Sequence, residues 1–210
     1  MEINQIKRMM PGSLDPRGLS WIEKKEDVLP KEMSGMSVLD IGAFNGYYSL
    51  ICASRGAKVL SLDVDNVYSN RGPYNQCKEL YNLDCEFREL DVCDLDELEG
   101  SFDLVLYYDV FYHLDDPMLA LRKVFPKVGE TLLLGTYIIG PKFVDVDQRE
   151  PLMYLFEPGE LRPNDPTNVW GPTIACVEKM LKIVGFRSVE TFNYGSRAIF
   201  KASKGNIPLV

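Results

Sequence analysis

From Val38 to Tyr47 the chain reads Val-Leu-Asp-Ile-Gly-Ala-Phe-Asn-Gly-Tyr. A short apolar strand runs straight into a glycine-bearing turn and then into a helix. In an open α/β sheet, ligands bind outside the carboxyl ends of strands at such turns. Gly42 and Gly46 let the backbone approach a ligand closely. The spacing is not G-x-G-x-x-G, because residue 45 is Asn and residue 47 is Tyr, so a pyrophosphate cradle is disfavoured. Asp40, just before the turn, suits a cationic ligand better than a phosphate. The plainer alternative is a strand, turn and helix whose glycines serve the turn alone.

Strand and helix signals alternate after this point. Ser37–Ile41, Ala57–Leu62, Cys85–Leu90, Phe102–Tyr107 and Thr131–Ile139 read as apolar strands. Helices are expected over 45–55, closed by Gly56, over 73–82, and from the Asp116-Pro117 cap onward. A further helix over 173–184 turns Ile174, Val177, Leu181 and Val184 inward. Val189–Tyr194 and Arg197–Ala202 form a tightly joined and therefore antiparallel pair. The pattern predicts a Rossmann-like α/β fold: a seven-stranded, mainly parallel sheet with an antiparallel last strand and helices on both faces. Residues 1–19 read as irregular. Ser20 through Glu23 has capping-box spacing ahead of a short helix that ends before Pro30. The organisation is an N-terminal extension over 1–36, a main domain over 37–202 and a tail over 203–210. Within the domain, residues 140–172 break the rhythm with Pro141, Pro151, Pro158, Pro163, Pro166 and Pro172 among Phe143, Tyr154, Phe156 and Trp170. Connections this long are usually functional or disordered, and the aromatics argue against disorder. The segment reads as a lid over the substrate, with a structural Ω-loop as the alternative.

Four carboxylates stand at successive strand ends: Asp40, Asp63, Asp91 and Asp109. A carboxylate in the position of Asp63 can accept two hydrogen bonds from a ribose diol, and one in the position of Asp91 can receive an adenine amino group. Each alone reads as a cap or turn residue; together they make a nucleoside-site hypothesis. His113, the single histidine, follows the fourth strand and has the pKa range of a general base, with helix capping or loop packing as its other reading. Tyr112, Glu157 and Glu160 are weaker base candidates. Asn168 and Trp170 could line an acceptor pocket, and Arg162 could pair with an acidic acceptor.

With these residues in place, the pattern over 37–202 resembles the class I S-adenosylmethionine (SAM)-dependent methyltransferases. Within them it resembles the subgroup related to tRNA wobble-uridine methyltransferases that finish 5-oxyacetic-acid-type uridines. Three segments carry the finer likeness: Met10-Pro11-Gly12, Val110 through Pro117, and Asp165 through Pro172 ahead of a helix containing Met180-Leu181. The resemblance implies that Asp40, Gly42 and Gly46 line the methionine part of SAM, and Phe44 in the same turn is counted with the cofactor-binding residues. It implies that Asp63 holds the ribose, Asp91 and Val92 meet the adenine, and Asp109 sits near the methionyl group. It implies direct in-line transfer with S-adenosylhomocysteine as product. Phe44 departs from the family's turn, where a glycine is common, and the longer N-terminal region of the tRNA enzymes is missing. Metal-using relatives carry an Asp-Asn pair after the fifth strand, where this chain has Gly135-Thr136-Tyr137, so no metal is expected.

Charge and composition narrow the partners. The formal net charge is −8, from 23 basic and 31 acidic residues, and no basic run with interleaved aromatics occurs. Nucleic-acid binders rely on basic faces, so a small polar metabolite or sugar-type acceptor is favoured over RNA or DNA. A tRNA-modifying enzyme is the first alternative, and an inactive SAM-fold binding or partner protein is the second. Five cysteines are scattered without C-x-x-C spacing, as buried reduced thiols of a cytoplasmic protein. No apolar run is long enough for a membrane span, and Met1–Arg8 lacks the apolar core of a secretory signal.

Overall fold

The computed structural model describes residues 3–10, 19–64 and 71–205. By contact density the chain divides into two compact units. The first comprises Met1–Val92 with Phe102–Leu106, the second Cys93–Ser101 with Tyr107–Val210.

The first unit holds α1 (Ile3–Met9), α2 (Leu19–Asp27), β1 (Ser37–Ile41), α3 (Tyr47–Ser54), β2 (Lys58–Asp63), α4 (Gly72–Tyr81) and β3 (Cys85–Glu89). It also holds most of β4 (Phe102–Tyr108). β1 pairs with β2, and β2 with β3, both in parallel. Val38, Leu39, Asp40 and Ile41 are buried in succession, as expected of a strand covered on both faces. α3 begins after Gly46 and buries Tyr47, Ser49, Leu50, Ile51, Cys52 and Ala53. The start of β1 is tied to the start of β4. Both the backbone N–H and the hydroxyl of Ser37 donate to the Asp103 carboxylate at 2.7 Å. Those bonds hold the Asp103 carboxyl below its usual range.

The second unit holds α5 (Pro117–Lys127), β5 (Val128–Tyr137), β6 (Met153–Leu155), β7 (Trp170–Pro172), α6 (Ile174–Val184), β8 (Ser188–Asn193) and β9 (Arg197–Ser203). Asp116 caps α5 as expected, accepting the Leu119 N–H at 2.8 Å, and Thr173 caps α6 through the Cys176 N–H. α5 and α6 meet through an edge-to-face pair, Phe125 and Phe186, with ring centroids 5.0 Å apart. Gly185, at φ 121°, closes α6, and a Cβ there would stand 2.7 Å from the Phe125 ring. The whole sheet follows the order β3-β2-β1-β4-β5-β9-β8. β9 runs antiparallel to both neighbours, β5 and β8. The expected fold class therefore holds, including the antiparallel last strand.

Two expectations are corrected, and a third segment is seen in more detail. Residues 3–9 are helical, not irregular. Ser20 lies inside α2, which starts at Leu19, so it is not the cap of that helix. The 140–172 segment contains regular structure, because β6 and β7 pair antiparallel as a separate two-stranded sheet. Its aromatics form a small core of their own: Phe156 lies 5.1 Å from both Phe143 and Tyr154 and 5.9 Å from Tyr137. Of the Met10-Pro11-Gly12 segment, Met10 is buried; Pro11 and Gly12 lie outside the described residues. No helix among the described residues is long and apolar enough to cross a membrane.

Candidate functional site

The site-bearing residues fall into two sets, one in each unit. In the first unit, the turn between β1 and α3 is built from left-handed residues: Gly42 (φ 71°), Phe44 (φ 52°) and Gly46 (φ 78°). The conformation explains the glycines, since L side chains avoid it. Phe44 adopts it regardless and leaves its ring 40% exposed. At Gly46 close packing adds a second reason, because a Cβ would run into the Tyr74 ring.

Asp63, the last residue of β2, accepts the Phe44 N–H at 2.5 Å. The turn and the ribose candidate are thus one assembly. Burial raises the Asp63 carboxyl above its usual range, and the hydrogen bonds from the Phe44 and Val64 backbone and the Arg71 charge oppose that rise. Asp40 is 2% exposed and accepts the Ser49 hydroxyl at 2.6 Å; Ser61 in turn donates to Ser49 at 2.7 Å. Burial pushes the Asp40 carboxyl up to about 6 against the pull of Ser49, with the nearby Asp63 charge adding to the rise. The Lys25 charge and the Ser49 hydrogen bonds compensate the buried carboxylate only in part, since burial still dominates the shift. Asp91 follows β3, and Val92, 6% exposed, opens a 3-10 segment over Val92–Glu97. The serine chain behind Asp40 left no mark in the sequence: Ser49 and Ser61 are ordinary helix and strand residues until α3 packs on β2.

In the second unit, Asp109 sits at φ 60° and its N–H donates to the Gly135 carbonyl at 2.8 Å. Its carboxylate pairs with Arg197, the first residue of β9. The Arg197 guanidinium carbon is 6.0 Å from the centroid of the Tyr112 ring. Tyr112 is buried, and burial with the Asp109 charge pushes its phenol up to about 12, so it stays protonated at neutral pH. That makes it a hydrogen-bond donor and a poor general base. His113 ends a 3-10 turn over Phe111–His113 and lies against Tyr112, ring centroids 4.2 Å apart. Burial lowers its pKa, so the imidazole is neutral near pH 7.

The candidates of the 140–172 segment divide. Trp170 donates its indole N–H to the Leu114 carbonyl at 2.8 Å, and the Val169 N–H donates to the Tyr112 carbonyl at 2.8 Å. These bonds join the segment to the turn that carries His113. Asn168 is buried and donates to the Asp165 carbonyl at 2.8 Å. Arg162 pairs with Asp165 at 4.0 Å. Glu157 is exposed; its N–H donates to Glu160, which also accepts the Tyr154 hydroxyl at 2.7 Å. Arg197 was not singled out by sequence, and Asp165 and Thr167 stood only within a segment that carries the family likeness, not as site candidates.

Residues 39–126 match the model of a methyltransferase domain. Ubiquinone biosynthesis O-methyltransferase of Pseudomonas fluorescens is 26% identical over 144 residues, covering 68% of this chain and 56% of that protein. A tRNA U34 carboxymethyltransferase of Desulfotalea psychrophila is 28% identical over 175 residues, covering 81% and 51%. The chain thus spans about half the length of the curated relatives it matches. Among solved structures, a putative O-methyltransferase from Nostoc punctiforme aligns with TM-score 0.64 at 17% identity, over 96% of this chain and 60% of that one. Magnesium protoporphyrin IX methyltransferase from Synechocystis, solved with bound S-adenosylhomocysteine, aligns with TM-score 0.60 at 17% identity, over 95% and 84%. Residues 39–126 are thus similar to a methyltransferase domain, the chain shares the fold of these solved methyltransferases, and over 175 residues it is similar to a tRNA U34 carboxymethyltransferase.

Proposed function

We propose that this chain transfers a methyl group from SAM to a small polar metabolite or sugar-type acceptor. The observation that carries the cofactor half is the hydrogen bond from the Phe44 N–H to Asp63. It fixes a carboxylate against a left-handed turn that begins two residues after the buried Asp40. The donor set fits the group. Asp40 offers negative charge to a sulfonium or ammonium, Asp63 accepts a ribose diol, and Asp91 with Val92 meets adenine. Gly42, Phe44 and Gly46 hold the backbone close. Bound SAM supplies a methyl group on a positively charged sulfur that needs no covalent enzyme intermediate. The chain's task is then to orient and to exclude water. In the second unit, His113 is the neutral base for the acceptor's proton. Tyr112 and Arg197 donate hydrogen bonds, while Glu157, Arg162, Asn168 and Trp170 shape the acceptor's surroundings.

The similarity to tRNA U34 carboxymethyltransferases favours a second reading, modification of a tRNA wobble uridine. The net charge of −8 weighs against it.

Calorimetric titration of SAM and S-adenosylhomocysteine into wild type and Asp63→Ala tests the cofactor half. Loss of a charge-assisted hydrogen bond costs about 1.5–3 kcal/mol, so binding should weaken about tenfold or more. A folded wild type that binds neither compound refutes the proposal and favours an inactive SAM-fold protein. Methyl transfer to bulk tRNA would replace the small acceptor with the second reading.

A further inference from the structure

We infer that Thr167 and Asp165 lock His113 in the Nδ1–H tautomer, leaving Nε2 as the lone-pair nitrogen that takes the acceptor's proton. His113 Nδ1 lies 3.1 Å from the Thr167 carbonyl oxygen and 2.8 Å from the Thr167 hydroxyl. A carbonyl oxygen only accepts, so the first contact requires a hydrogen on Nδ1. The Thr167 hydroxyl spends its own hydrogen on Asp165 Oδ1, at 2.5 Å, and a carboxylate also only accepts. The hydroxyl oxygen must therefore accept from the imidazole. Both contacts give the same answer, and the opposite tautomer would set lone pair against lone pair at each.

Free histidine in water prefers the proton on Nε2, so this arrangement reverses the default. It has the logic of a base oriented by a hydrogen-bonded second group, with the hydroxyl carrying the effect of a carboxylate one step further away. Asp165 is itself fixed by the Thr167 N–H at 3.2 Å and by Arg162. The charged groups facing His113 are Asp165, Asp109 and Arg162. The two carboxylates favour the imidazolium and Arg162 opposes it, while burial keeps the resting ring neutral.

The use of this tautomer rests on the proposed transfer reaction. As the acceptor X–H attacks, the X–C bond to the methyl carbon forms and the C–S bonding pair goes to sulfur, giving the neutral thioether. The proton passes from X to Nε2. The resulting imidazolium keeps its Nδ1–H on Thr167, and its charge faces Asp165. Thr167 and Asp165 are positioning residues, since they act only through His113.

His113 is the single histidine of the chain, so untagged protein labelled with ¹⁵N-histidine gives one imidazole in long-range ¹H–¹⁵N correlation spectra. At a pH above the imidazole's titration, the expected pattern is a pyrrole-like Nδ1 and a pyridine-like Nε2. Thr167→Val removes the hydroxyl and keeps the backbone carbonyl, so the pattern should weaken part of the way toward averaged shifts, and Thr167→Ser should restore it. Asp165→Asn should lower the titration midpoint. A wild type with pyrrole-like Nε2 overturns the inference, and a folded Thr167→Val with unchanged shifts overturns the part assigned to the hydroxyl and Asp165. Should Thr167→Val fail to fold, the Thr167→Ser and Asp165→Asn spectra decide. S-adenosylhomocysteine titration into the same samples separates the two claims: the Nδ1–H signature without cofactor binding refutes the transfer reaction and leaves the tautomer standing.

Discussion

Replacing Asp40 with Asn should stabilise the free protein while weakening its hold on a cation. Asp40 is buried at the end of β1, and its carboxyl is raised from 3.8 to about 6. A group whose folded pKa lies above its unfolded value binds protons preferentially in the folded state. Its contribution therefore favours folding at low pH and is lost as pH rises from about 4 through about 6. A shift of about two units corresponds to about 3 kcal/mol, which the charged carboxylate costs the fold at neutral pH. The isosteric amide keeps an oxygen for the Ser49 hydroxyl and carries no charge to desolvate. Urea unfolding of wild type and Asp40→Asn at a series of pH values isolates the effect, because other groups cancel in the difference. Asp40→Asn should be more stable by up to about 3 kcal/mol above pH 7. The two proteins should converge toward pH 4. Parallel stability curves, or a less stable variant at neutral pH, would refute the account of Asp40 as a charge that burial strains beyond the compensation of Ser49 and Lys25. The same reasoning predicts proton release on SAM binding near pH 6, read as a buffer-dependent calorimetric enthalpy.

Gly46→Ala places a Cβ in the Tyr74 ring at φ 78°, so it should cost about 1–3 kcal/mol and lower the melting temperature along with S-adenosylhomocysteine affinity. Arg197→Met removes the ion-pair partner of the partly buried Asp109 carboxylate and should cost about 1–3 kcal/mol by urea titration. Adding Asp109→Asn should recover part of that loss, and additive losses would contradict the pairing. Ser37→Ala removes two hydrogen bonds at the β1–β4 entry and should cost about 1–2 kcal/mol. Asp103 is held below its usual pKa by Ser37, so its contribution is present at neutral pH and fades on acidification. The stability of Ser37→Ala should accordingly fall less steeply with acid than that of wild type.

What the sequence made legible was local. The β1 turn could be read because left-handed conformations select glycine within a few residues, and Phe44 stood out as an exception that the structure keeps at φ 52°. Asp116 and Gly185 could be read because caps act within one helical turn. Ser20 misled because capping-box spacing also occurs inside a helix that begins one residue earlier. The relations that give the second set its chemistry are of another kind. Asp109 meets Arg197 across 88 positions and His113 meets Thr167 across 54. Neither Thr167 nor Arg197 differs in type from many surface residues, so no pattern of residue types marks it. Their roles arise only when β9 inserts beside β5 and when Trp170 and Val169 bind the backbone of the His113 turn. A strand-end carboxylate carries its meaning in its position along the chain. A tautomer carries its meaning in which oxygen the fold places beside the ring, so His113 could be named as a candidate from sequence, but not as a base with a defined protonated nitrogen.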